Sequence, residues 1–274
     1  MLDLTRPAVM GVLNITADSF SDGGRNRSLD AAIQHGAALV AEGAAIVDVG
    51  GESTRPGAEP VGLQEELDRV VPVVEALAGR FDALISVDTM KPQVMTEAVK
   101  AGAGLINDVL ALSAPGALEA AAASGAAVCL MHMQGTPRPR QDDPRYAEVV
   151  GAVGGYLRQR AATCVKAGIA SERICIDPGF GFGKNLEHNL QLLSGLPRLT
   201  AGLWPVLVGL SRKSMLGKLT GRPVTDRLAG SLALATIATL HGARIVRAHD
   251  VAATRDAVAV AWAARQQQQQ GDYA

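Results

Sequence analysis

The chain has 274 residues, of which 48% are apolar and 3% aromatic, and its formal net charge is −1. That length suits two average domains or one α/β barrel of about 250 residues. A balanced charge excludes a global field that recruits nucleic acid or an anionic membrane, so any anion must be held by a local cluster. Cys129, Cys164 and Cys175 form an odd set without C-x-x-C spacing and read as buried thiols in a reducing compartment. Met1 to Thr16 lacks the basic start, apolar centre and cleavage site of a signal peptide. No apolar run approaches the roughly 20 residues that span a bilayer, and the expectation is a soluble, cytoplasmic protein.

In chain order, short apolar runs predict eight strands: Ala8 to Leu13, Ile46 to Val49, Leu84 to Val87, Leu105 to Ile106, Ala127 to Met131, Ile174 to Ile176, Val206 to Val208, and Ile245 to Val246. Between them, helical spacing predicts Leu29 to Glu42, Leu63 to Leu77, Pro92 to Ala101, Ala117 to Ser124, Tyr146 to Ala167, Asn185 to Gly195 and Thr225 to His241. A last helix runs from Val251 to Arg265. Several helices stop at Gly before the next strand, as at Glu42-Gly43 and Ala167-Gly168. Eight βα units without a linker predict one domain over residues 1–265. The Gln-rich tail, 266–274, is expected to be disordered.

An open doubly wound sheet also alternates strand and helix, so the count alone leaves it in play. The placement of polar residues favours a single (β/α)8 TIM barrel. Asn14, Gly50 to Arg55, Asp88-Thr89, Asn107-Asp108, His132 to Gln134, Asp177-Pro178, Ser211 to Lys213 and Arg247 to Asp250 each follow a strand at once. In a barrel those ends converge on one mouth.

Asp88 could be a simple helix N-cap. Asp177 precedes Pro178-Gly179 and cannot start a helix at once, so its carboxylate calls for a donor partner, such as the guanidine-like edge of a heterocycle. Asn107 adds a donor and an acceptor, and the set suits reading a ring edge better than caging a metal. Arg55, Arg212, Lys213, Arg247 and His249 would form the local anion site. The long loops 18–24 and 50–57 read as mobile lids. Gly179-Phe180-Gly181-Phe182-Gly183-Lys184 does not fit G-x-x-x-x-G-K-[ST]; a turn that presents Phe182 for stacking is preferred. His132 reads as a satisfied barrel histidine.

The segments Met10 to Gly24 and Gly50-Gly-Glu-Ser-Thr-Arg-Pro-Gly57 resemble the two signature stretches of the dihydropteroate synthase family. Val87-Asp-Thr89, Ile106-Asn-Asp108, Leu130-Met-His-Met-Gln-Gly135, Asp177-Pro-Gly-Phe-Gly-Phe-Gly-Lys184, Ser211-Arg-Lys-Ser214 and Arg247-Ala-His-Asp250 continue the match to the last strand. The resemblance implies a TIM barrel that joins a pterin diphosphate to p-aminobenzoate, is a sulfonamide target, and works as a homodimer. It implies that Asp88, Asn107, Asp177 and Lys213 hold the pterin, with Met131 beneath it. Asn14 would place Mg2+, and Arg247, Ala248 and His249 would hold the diphosphate. Thr54, Arg55, Pro56, Phe182, Ser211 and Lys213 would border the p-aminobenzoate. The catalytic set on this reading is Asp88, Asp177, Lys213, Arg247 and His249.

One departure is Ala17, where the family usually has Pro; its freer φ would loosen the first loop by about 0.4 to 1 kcal/mol. No Ser/His/Asp or Cys/His nucleophile pair is evident, so electrostatic catalysis is expected. Two other readings compete. A corrinoid-linked methyltransferase shares the pterin carboxylates but needs no diphosphate site, and a non-catalytic paralogue would be expected to have degraded loops.

Overall fold

The structure is a computed structural model that describes residues 2–15, 24–53, 59–135 and 144–271. Eight parallel strands form one sheet: β1 (Ala8–Asn14), β2 (Ile46–Gly50), β3 (Leu84–Asp88), β4 (Leu105–Asp108), β5 (Ala127–Met131), β6 (Ile174–Asp177), β7 (Leu207–Gly209) and β8 (Ile245–Ala248). Their order is β6-β5-β4-β3-β2-β1-β8-β7. The remaining gap is spanned by a parallel bridge between Ile176 and Val206 and by the Ile176 N–H donating to the Pro205 carbonyl at 3.0 Å. Closure removes both sheet edges, and the expected TIM barrel is what forms.

The helices are α1 (Gly24–Ala41), α2 (Leu63–Ala78), α3 (Pro92–Lys100), α4 (Ala117–Ser124), α5 (Val149–Lys166), α6 (Leu186–Ser194), α7 (Leu196–Thr200), α8 (Ser214–Thr220), α9 (Leu228–Leu240) and α10 (Val251–Gly271). The short helices α7 and α8 were not expected, since neither is long enough to show a periodic apolar face. Gly43 ends the first helix region at φ 99°, a conformation that favours glycine. The Gln-rich stretch corrects the expected boundary. The last helix continues six residues beyond Arg265, through Gly271, because glutamine is a good helix former and nothing in 266–271 breaks the turn. Among the described residues, no helix is long and apolar enough to cross a membrane.

Strand alternation divides the core in two. Outward positions such as Val47, Val49, Ile85, Val87, Ile106, Val128 and Leu130 pack on the helices. Inward positions near the strand starts, Met10, Ile46, Leu105, Cys129, Cys175, Leu207 and Ile245, fill the barrel with a separate apolar plug. The three cysteines are free and buried, as expected. Two residues further along the same inward rows, the side chains turn polar: Asp48 above Ile46, Ser86 and Asp88 above Leu84, Asn107 above Leu105, Asp177 above Cys175, and Arg247 above Ile245. Most strands are thus one or two residues longer than their apolar runs, because the backbone ladder continues regardless of side-chain polarity. Asp88, Asn107, Asp177 and Arg247 therefore sit on the strands themselves. Truncating the plug should be costly: Leu207→Ala is expected to destabilise the protein by about 2 to 5 kcal/mol in urea unfolding, against well under 1 kcal/mol for the exposed Leu203→Ala.

Candidate active site at the barrel mouth

Inter-strand register sets the floor of the mouth. Asp48 lies beside Ser86, Asp88 beside Asn107, Met131 beside Asp177, and Gly209 beside Arg247. Asp48 is fully buried, at 0% exposure. One of its oxygens accepts from Ser86 Oγ at 2.6 Å, and the other from Arg247 Nε at 2.6 Å and Asn107 Nδ2 at 3.1 Å. Arg247 also donates from Nη2 to Asp88 Oδ2 at 3.0 Å. One guanidinium therefore bridges two carboxylates, which offsets the desolvation of both. Burial and the neighbouring Asp48 carboxylate push Asp88 up to about 7 against the pull of Arg247.

Across the mouth, Asp177 is 6% exposed and accepts from the Gly179 N–H at 2.7 Å. Burial raises its pKa, while Lys213 and that N–H draw it down. Met131, its neighbour on β5, is 4% exposed and faces the same interior. The Lys213 ammonium donates to the Phe180 carbonyl and lies 4.6 Å from the centroid of the Phe182 ring. Burial, together with Arg247, lowers Lys213 to about 8, although Asp177 favours its charge.

The turn that carries Phe182 is held from below. Lys184 Nζ meets Gly179 O at 2.9 Å, Phe182 O at 3.0 Å, His132 Nδ1 at 3.0 Å and His132 O at 3.3 Å. A Cβ on Gly179 (φ 69°) would lie 1.9 Å from the His132 carbonyl oxygen, so the chain can pass there only as glycine. The lysine is engaged by three backbone carbonyls and the His132 ring nitrogen. His132 is a satisfied histidine as expected: burial and Lys184 hold it down to about 3, and its ring packs edge-on to Tyr156 at 5.1 Å.

The cationic set divides. Arg212 is engaged by Asp250 through two hydrogen bonds, one of them Nε to Oδ2 at 3.0 Å, so the salt bridge turns it from the common anion site. Arg247, expected at the diphosphate, is placed between Asp48 and Asp88 in the floor of the mouth. His249 and Ser211 come together, with Nδ1 and Oγ 3.0 Å apart. Ala248 is 2% exposed and on the outward row, so only its backbone can reach a ligand. Asp108 also faces outward and caps the Leu110 and Leu112 N–H groups at 2.8 and 2.7 Å.

Thr54, Arg55 and Pro56, and Ala17 in the first loop, lie outside the described residues. The base of the second loop is nevertheless defined. Arg69 Nη1 donates to Gly51 O at 2.9 Å, and Lys91 joins Glu52 to the fully buried Glu66, which also accepts from Thr89 Oγ1 at 2.6 Å. Asn14 closes the mouth on β1. A Cβ on Gly50 would make ordinary van der Waals contact, at 3.5 Å, with both Asn14 Oδ1 and Asp88 Cβ, which places Gly50 between those two side chains. Among the described residues, no three His, Cys, Asp or Glu side chains cluster as a metal cage. The donor chemistry suits an ion that arrives with most of its oxygens from phosphate and water.

Asp48, Ser86, Lys184 and the Glu52–Lys91–Glu66 bridge were not singled out from the sequence. For Asp48 a signal existed: an acid in Val47-Asp48-Val49 falls on the inward row of a strand.

A closed barrel with carboxylates, an amide and a lysine gathered at the C-terminal strand ends defines an enzyme-like pocket for a polar heterocycle. The family model described as "Pterin binding enzyme" matches residues 10–249. Dihydropteroate synthase of Escherichia coli strain K12 is 55% identical over 259 residues, 94% of this chain and 92% of that protein. The Yersinia pestis dihydropteroate synthase, solved in complex with a sulfonamide drug, superposes with a TM-score of 0.91 at 54% identity, covering 97% of this chain and 96% of that one. The Xanthomonas albilineans enzyme with 4-aminobenzoic acid gives 0.90 at 52%, covering 97% and 95%. The chain belongs to the pterin-binding enzyme family.

The two shifted groups set a pH profile. A reaction that uses an ionised Asp88 would lose activity below about 7, and one that uses a protonated Lys213 would lose it above about 8. A bell-shaped kcat/KM with those limbs is expected, and Lys213→Arg should remove the alkaline limb while retaining the acid one.

Proposed function

We infer that this chain carries out the dihydropteroate synthase reaction, joining (7,8-dihydropterin-6-yl)methyl diphosphate to p-aminobenzoate to give 7,8-dihydropteroate and diphosphate. The observation that carries the reading is the facing pair Asp88–Asn107 and Asp177–Lys213 at the mouth, in a chain 55% identical to an enzyme of that name. Acceptors on both sides fit a ring whose edge is rich in N–H groups, and a methyltransferase would leave the Ser211–His249 pair without a use.

In the reaction the bond from the pterin methylene to the diphosphate oxygen breaks, the bond to the aryl nitrogen forms, and the amine proton leaves. Asp88 and Asp177 favour positive charge developing on the pterin, which supports departure of the diphosphate ahead of amine attack. Arg247, His249 and the Ala248 N–H are the groups suited to the leaving diphosphate. Arg247, held by both carboxylates, sits where the ring ends and the anion begins. Asn14 would help hold Mg2+, which when bound neutralises diphosphate charge. Phe182 and Ser211, with Thr54, Arg55 and Pro56 of the second loop, would border the aryl amine. The Xanthomonas relative's complex with 4-aminobenzoic acid supports that co-substrate. A homodimer in the cytoplasm belongs to the same reading.

Mixing the protein with the pterin diphosphate, p-aminobenzoate and Mg2+ should yield dihydropteroate and diphosphate, and absence of both products would refute the assignment. Asp177→Asn is expected to lower kcat/KM by roughly 100-fold or more, the scale of losing one preorganised polar contact; a wild-type rate would remove Asp177 from the site.

A further inference from the structure

We propose that Asp48 is a positioning residue of the pterin pocket, which from beneath the mouth fixes the Asn107 amide and the Arg247 guanidinium in the orientations that a pterin meets. The proposal rests on the pterin reading above.

Asp48 lies one layer below any ligand. It is completely buried, it points inward from the middle of β2, and its three side-chain partners are on three other strands, β3, β4 and β8. A carboxylate paired with an arginine only accepts hydrogen bonds. Asn107 must therefore turn its NH2 toward Asp48, which leaves Oδ1 facing away from it as an acceptor. Without this carboxylate, the amide could present either face to the mouth.

The same logic holds for Arg247. With Nε on Asp48 and Nη2 on Asp88, the plane of the guanidinium is fixed by two acceptors on different strands. When Asp88 turns to a ligand N–H, Asp48 is the acceptor that keeps the arginine in place. Ser86 Oγ, at 2.6 Å on the remaining oxygen, stops the carboxylate from rotating.

Stability alone does not call for an acid here. The layer beneath is hydrocarbon and thiol, namely Ile46, Leu105, Cys129, Cys175, Leu207 and Ile245, and an apolar side chain could extend it upward. Replacing a buried ion pair by packed apolar groups is often neutral or stabilising. What an apolar residue cannot supply is the fixed direction of two donors, which a site tuned to one heterocycle needs.

Asp48→Asn tests this, because it keeps the shape and removes the obligate acceptor. Two quantities are read: the Kd of a free pterin lacking diphosphate, by calorimetry, and the KM of p-aminobenzoate at saturating pterin diphosphate. The expected result is a pterin Kd raised by about tenfold or more, as for a lost hydrogen bond to a charged group, with the p-aminobenzoate KM within about twofold. Ser86→Ala should raise the pterin Kd less than Asp48→Asn does. An unchanged pterin Kd, or parallel weakening of both ligands, overturns the proposal. If Asp48→Asn does not fold, Asp48→Asn with Arg247→Met removes both charges together, and a wild-type pterin Kd there overturns it equally. Failure of the wild-type protein to bind pterin would instead refute the functional reading.

Discussion

The mouth of this barrel depends on one bridged ion group, Asp48–Arg247–Asp88, built on β2, β8 and β3. Two carboxylates this close to an apolar plug would each be costly to desolvate alone, and a single guanidinium between them offsets that cost. The floor of the mouth leans on this group. Asn107 takes its direction from Asp48, and Asp88 is pushed up to about 7 because burial, followed by repulsion from Asp48, outweighs the pull of the one shared cation. Since all of these residues lie on strands, their spacing is fixed by the ladder rather than by loop conformation.

The opposite wall uses a different device. There the cations beside Asp177 are lysines, and they are held by backbone carbonyls: Lys213 on Phe180 O, and Lys184 on Gly179 O and Phe182 O. The turn between Gly179 and Gly183 thereby becomes rigid enough to present the Phe182 ring beside an ammonium. The base of the second loop is tied down by buried charge as well, through Lys91 and Glu66. The mouth thus combines a floor fixed by strand pairing, a stapled turn, and a fixed root of the second loop.

The fold was legible because eight short apolar runs alternate with helical stretches, and all eight became strands. All but β5 end a residue or two past the expected bound for a physical reason: strand pairing does not stop where side chains become polar. Asp88, Asn107, Asp177 and Arg247 were found because they sit at the edge between the two patterns. Asp48 was not, because it lies inside an apolar run, where only the inward-outward alternation marks it as facing the barrel axis. Asp108 shows the converse. It sits next to Asn107 in sequence, yet the same alternation turns it outward to cap a loop. Arg212 and Lys213 are likewise neighbours with different fates, since Arg212 has Asp250 within reach and Lys213 does not. Helix-like glutamines at the end were read as tail because low complexity hid their propensity.

Where a pterin sits relative to the bridged ion group decides whether that group is the floor of the pocket. A crystal structure of the protein with a bound pterin diphosphate tests this most directly. The ring should lie between Asp177 and Asp88, its edge on Asn107 and Lys213, with the Arg247–Asp48 bond intact beneath it and the diphosphate toward His249. A pterin bound elsewhere, or an Arg247 that leaves Asp48 on binding, would contradict it.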